Sequence, residues 1–327
     1  MFAIDGLTLL CAAAVAFSVL TYVLLDGTDL GVGLLMGLNP RAEHRQAMVL
    51  SILPIWDANE TWLVLGAGAL LAMFPPAYAI LLPALYLPLT VMLLALIVRA
   101  VALEFREDMA HKPAMDALLL CGSLLASLFQ GVVLGALVQG VPSAAGQYTG
   151  SGWEWLAPFP LFCGLALVVG YLWLGACWLY WRTTGALQHR SGCQARVLAT
   201  VAVGMLVIVL VATAVLDERY ARHLSKPWLA APAALMLGTL LAAFHSAFRS
   251  RWHCLPLFVA LAVTALAFAL MAVAVFPMAI PPQLTLEDAA SAPTTQTFML
   301  VGFAIIMPIT LAYNTVGFRV FAGKIRP

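Results

Sequence analysis

Charge is what this chain has least of: 9% of its 327 residues are Asp, Glu, Lys or Arg, against 63% hydrophobic, and mean hydropathy is +0.99. No stretch is polar enough to make a soluble domain, which excludes a water-soluble globule. Sixteen basic and fifteen acidic residues leave a net charge of +1, too even for the basic face that nucleic acid requires. The six cysteines, Cys11, Cys121, Cys163, Cys177, Cys193 and Cys254, form no CxxC pair and read as small core residues. Walker-type loop, GxGxxG turn and nucleophile elbow are all missing, so no independent catalytic machinery is expected.

Histidine is missing from the middle of every apolar run. His44, His111, His189, His223 and His253 fall in expected loops and His245 near a helix end. Membrane haems take His, Met or Cys from a helix. Met92, Met205, Met271 and Met307 read as packing, so neither haem nor a transition metal is expected on this chain. The start, Met1-Phe2-Ala3-Ile4-Asp5-Gly6, has an acid where a signal peptide is basic. The apolar run after it is too long for an h-region, so the first helix is expected to be retained.

What is present is apolar segment after apolar segment. Runs near 7–36, 47–74, 77–103, 116–139, 158–181, 196–216, 229–247, 255–277 and 296–320 each suit a hydrocarbon core about 30 Å thick. The expectation is an all-α polytopic bundle, one integral membrane domain of about nine helices. Phe74-Pro75-Pro76-Ala77 allows only a tight turn between the second and third. Alternating loops gather Arg41, Arg45, Arg106, Lys112, Arg182, Arg190, Arg196, Arg249, Arg251, Arg319, Lys324 and Arg326 on one side and only Arg219, Arg222 and Lys226 on the other. That bias puts the N-terminus outside and the C-terminus in the cytoplasm.

The best functional clue is Trp56-Asp57-Ala58-Asn59-Glu60-Thr61-Trp62, with two carboxylates and a carboxamide inside an apolar run. A charge at bilayer depth costs about 3 kcal/mol or more, so such groups face protein or a water-filled path. Asp26 and Asp29 in the first run are i,i+3 neighbours, as are Asp57 and Glu60, and each pair shares a helix face. Continuous helices would set Asp29 and Asp26 roughly 10 and 15 Å, and Asp57 and Glu60 roughly 15 and 20 Å, from the cytoplasmic end. Two readings follow. The four acids form a proton relay, or they form a structural cluster with Arg99 as counter-ion and Asn59, Thr61 and Thr28 as hydrogen-bond support. Two acids on each of two neighbouring helices favour the relay.

Gly27/Gly31, Gly33/Gly37 and Gly131/Gly135 have the spacing of close helix packing. Pro83 and Pro88 predict a kink in the third helix. Trp153, Trp155, Trp178, Trp181 and Trp228 fall near helix ends and read as interfacial anchors. A proton-coupled secondary transporter is the alternative reading. It calls for an internal duplication, and the later half has no second set of acids: Glu154, Asp217, Glu218, Glu287 and Asp288 all fall in loops. A purely structural assembly subunit is the third.

Leu25-Asp26-Gly27-Thr28-Asp29-Leu30-Gly31-Val32-Gly33, Trp56 to Leu63, Tyr78 to Arg106 with its LLPALYLPL and RAVALEFR runs, and Leu311-Ala312-Tyr313-Asn314 to Gly323-Lys324 together resemble subunit II of the cytochrome bd-type quinol oxidases. The WDANETW form is closer to the branch called cyanide-insensitive. The resemblance implies a haem-poor subunit in a bacterial cytoplasmic (inner) membrane, packed against a haem-bearing subunit I. That partner carries haem b and haem d and takes the quinol. The complex reduces dioxygen to water with protons drawn from the cytoplasm. It implies room for a structural quinone and for single-helix accessory subunits. It further implies that Asp57, Asp26 and Asp29 belong to a proton path and that Trp62 lines an oxygen route. Where some relatives have WDGN followed by Gln, this chain has Ala58 and Glu60, so Glu60 is a titratable group without an inherited role.

Overall fold

In hydrocarbon a backbone must satisfy its own polar groups, and helices do so within one segment. The computed structural model, which describes residues 4–144, 146–321 and 323–325, is helical along most of its length. Met1-Phe2-Ala3 and Arg326, used above, lie outside the described residues. In chain order the helices are α1 (Gly6–Gly37), α2 (Ala42–Ile52), α3 (Trp56–Met73), α4 (Pro75–Ala84), α5 (Tyr86–Phe105), α6 (Lys112–Gln139), α7 (Pro158–Arg182), α8 (Gly185–Leu216), α9 (Glu218–Leu224), α10 (Pro227–Ala247), α11 (Leu255–Val275), α12 (Leu286–Ala289) and α13 (Pro293–Val320).

Eight helices among the described residues, namely α1, α5, α6, α7, α8, α10, α11 and α13, are long and apolar enough to cross a bilayer. The run at 47–74 is not one helix. Pro54 has no amide proton and its ring crowds the preceding turn, so α2 ends at Ile52 and α3 begins at Trp56. This shifts the WDANETW acids from mid-helix to a helix start. The run at 77–103 is divided at Leu85, between Pro83 and Pro88, into α4 and α5. Helix α8 extends to Gly185, well before the expected start at 196, so His189 and Arg190 are helical rather than in a loop. His44 and His223 likewise sit on the short helices α2 and α9.

Helix α1 is the central post, packed against α3, α6 and α7. Its glycines explain how it gets so close. A Cβ at Gly31 would run into the Tyr171 carbonyl of α7, one at Gly33 into Ser123 of α6, and one at Gly37 into Leu120 of α6. Gly131 and Gly135 of α6 meet Cys163 and Pro160 of α7 in the same way. Helices without a hydrophobic drive to associate gain their dispersion contacts through such approaches. The expected anchors Trp178 and Trp155 are instead buried, with their indole N–H groups donating to Ser51 Oγ and to the Gly152 carbonyl. Two small hairpins, Ser143–Ala144 with Gln147–Tyr148 and Met278–Ile280 with Leu284–Thr285, lie at the end of the bundle where α6 finishes and α7 starts.

Candidate functional site: a buried charge cluster

Two carboxyl groups meet one guanidinium inside the bundle, and a third lies one helical turn away. Asp26 of α1 and Arg99 of α5 are both fully buried, and Arg99 Nη1 donates to both Asp26 oxygens at 2.8 and 3.0 Å. Glu60, on the first turns of α3, brings Oε1 to 3.2 Å from the same nitrogen, with an angle outside hydrogen-bond geometry. Asp29, one turn from Asp26 and also fully buried, accepts from Asn59 Nδ2 at 2.7 Å.

The amides continue outward from there. Asn314 of α13 lies 3.4 Å from Asn59 Oδ1. With its amide turned, Asn314 accepts from the Trp62 indole at 3.2 Å and donates to the Thr310 carbonyl. Trp62 is fully buried and edge-on to Phe17 at 5.8 Å between ring centres. On the other side of Asp26 the Tyr22 hydroxyl is buried without a partner, while the Tyr171 hydroxyl donates to Gln130 Oε1 at 2.9 Å.

Many valences of this cluster are open. Among the described residues, Asp29 Oδ1, Glu60 Oε1, Arg99 Nε and Nη2, Tyr22 OH, Ser18 Oγ and Ser123 Oγ are buried with no hydrogen bond. Buried polar groups of this kind find their partners in ordered water. Two negative charges in excess of the one cation would be expensive in such surroundings.

Of the residues expected at the site, Asp26, Asp29, Asn59, Glu60 and Arg99 come together. Asp57 does not join them. It points out from the first turn of α3, exposed and without an ion pair. Two supporting roles also fail. Thr28 Oγ1 donates to the Leu24 carbonyl of its own helix and Thr61 Oγ1 to the Asp57 carbonyl, so neither supports an acid side chain. Hydroxyls on a helix readily turn back to the i−4 carbonyl. Asn314, Tyr22 and the Tyr171–Gln130 pair were not singled out from the sequence. A lone amide within an apolar helix was the signal for Asn314 and Gln130; for the tyrosines there was none.

A second ionic group lies nearer the helix ends. Arg106 Nε donates to Asp116 Oδ1 at 2.6 Å and Arg45 Nε to Asp116 Oδ2 at 2.8 Å. Arg45 also bonds the Asn39 and Pro40 carbonyls at the end of α1. Gln46 and Lys112 donate to Glu107 and hold its carboxyl below the usual range.

Comparison with known proteins agrees with the residues quoted above. The chain is 28% identical to a probable cytochrome oxidase subunit 2 of Haemophilus influenzae, over 92% of this chain and 90% of that one. It is 34% identical to the cytochrome bd-I ubiquinol oxidase subunit 2 of Escherichia coli K12, over 55% of this chain and 50% of the relative. The fold superposes on a chain of the bd oxidase from Geobacillus thermodenitrificans with a TM-score of 0.80, covering 97% of this chain and 99% of that one at 18% identity. The family model for cytochrome bd terminal oxidase subunit II matches residues 7–321, and the chain belongs to that family.

Proposed function

We propose that this chain is the haem-poor half of a quinol:dioxygen oxidoreductase and that its buried cluster takes up protons for a redox centre in the partner subunit. The observation that carries the reading is two carboxyl groups on the one Arg99 guanidinium, with a third, Asp29, one helical turn away on Asn59. Unmet buried polar groups cost about 1–3 kcal/mol each, and the ordered water that offsets this cost also carries protons. The donor set of carboxyls, carboxamides and a guanidinium does not fit haem iron, which takes His, Met, Cys or Tyr. No step is therefore routed through a haem on this chain; haem b and haem d belong to subunit I, which also takes the quinol.

Asp57 supports the pairing with subunit I by a separate route. Asp57, Thr61, Val64, Gly68 and Leu71 form one exposed stripe along α3, and a bare carboxylate on such a helix cannot face lipid. Protein covers it, and that protein is the haem-bearing partner. Asp57 then stands between the cluster and the partner, with Glu60 and Asp29 behind it. Trp62 packs between α1 and α13 and orients Asn314; its lining of an oxygen route rests on the family resemblance. The site lies in the bacterial cytoplasmic membrane, with the α2–α3 break toward the cytosol.

The test is quinol oxidase turnover of Asp29→Asn in assembled, haem-loaded complex. Turnover falls severalfold while the haem content is unchanged. Wild-type turnover together with wild-type proton uptake would remove the cluster from the mechanism.

A further inference from the structure

The Pro54 break opens a crevice of about 170 Å³ between α3 and α13, walled mostly by apolar side chains such as Ile55 and Phe318, with Asn59 and Asn314 as its amides and Ala58 and Gly317 along its sides. Its inner wall is the amide pair Asn59 and Asn314, and Asn59 is the group bonded to Asp29. The break leaves a second mark. Among the described residues the amides of Trp56, Asp57 and Ala58, at the start of α3, have no acceptor, and no side chain caps this helix. Ala58, whose amide is open, and the two carboxamides border a crevice large enough for water, which would meet them where hydrocarbon cannot.

We infer that this crevice is the water inlet of the proton cluster, with Asn59 as the positioning residue that joins its water to Asp29. The inference rests on the proton-uptake reading above and adds the route. Protons enter beside the proline break, between α3 and α13, rather than along the inner end of α1, where Gly33 and Gly37 are sealed against Ser123 and Leu120. The break itself is what makes the inlet. A continuous helix through residues 53–55 would close its amides.

Gly317→Cys tests this, because a Cβ there meets nothing within 4 Å and the fold is left alone. Ala58→Cys is the second probe, and Val64→Cys on the exposed stripe of α3 is the control. Assembled oxidase is treated with a charged, membrane-impermeant methanethiosulfonate, and wild-type complex is treated alongside. Labelling of Gly317→Cys and Ala58→Cys but not Val64→Cys, with a severalfold drop in turnover that thiol reduction reverses, is the expected result. Absence of labelling at both probes would overturn the inlet whatever Asp29→Asn does. Labelling that leaves turnover unchanged, with Asp29→Asn still impaired, would overturn the inlet and leave proton uptake by the cluster standing.

Discussion

The molecule carries two ionic groups of similar composition and opposite finish. At the helix ends Asp116 has one oxygen on Arg106 and the other on Arg45, and Arg45 Nη1 donates to the carbonyls of Asn39 and Pro40. That group ties α1, α2, α5 and α6 together, with both Asp116 oxygens paired. In the bundle interior Arg99 uses one nitrogen for Asp26 and Glu60 and leaves two others bare, while Asp29 keeps a bare oxygen. Protein groups complete the carboxylate's pairing where it holds helices together, and water is required to complete it in the interior.

Substitutions sharpen that contrast in order of size. Arg99→Met removes the cation paired with Asp26, and the loss of one partner of a buried pair costs roughly 3–5 kcal/mol; little assembled complex should be recovered on size exclusion. Gly31→Ala drives a methyl into the Tyr171 carbonyl where α1 crosses α7. Overpacking of this kind costs about 1–3 kcal/mol, read as a lower thermal midpoint of the detergent-solubilised complex. Asp116→Asn loosens the group at the helix ends and should lower that midpoint by less than Arg99→Met does. Turnover per haem should stay at the wild-type value, and a fall would erase the distinction between the two groups.

The smallest effect belongs to Glu154, in the loop before α7. Burial presses its carboxyl upward, but hydrogen bonds from the Tyr148 hydroxyl and from Ser151 outweigh it and bring the carboxyl down to about 2. A carboxyl held below its unfolded value of about 4.3 lends stability that is complete above that value and fades as pH falls toward the folded one. Glu154→Gln should therefore narrow the difference in thermal midpoint between pH 7 and pH 3, by an amount well short of that seen for Gly31→Ala.

Much of this was legible in the residues. Long apolar runs with acids at 26, 29, 57 and 60 and a basic residue at 99 specify a helical bundle with a polar heart, because apolar length sets the spans and charge at depth demands a partner. Two things were not legible. Hydropathy averages over Pro54, so it joined α2 to α3 and hid that Asp57 stands on a helix's first turn; Asp57 and Glu60 stay i,i+3 on α3, and the packing of that helix leaves Asp57 exposed while Glu60 reaches Arg99. Helix periodicity gives the face of a residue on its own helix but not which neighbour it meets. It therefore could not assign Asn314 to Asn59 or withdraw Thr28 and Thr61 from the acids.

The most direct measurement is the reduced-minus-oxidised infrared difference spectrum of the assembled oxidase. If, as proposed, the cluster changes protonation during turnover of the complex, a carboxylic C=O band present in the wild type should vanish in Asp29→Asn and persist in Asp116→Asn. Spectra that are identical in all three proteins would contradict the account.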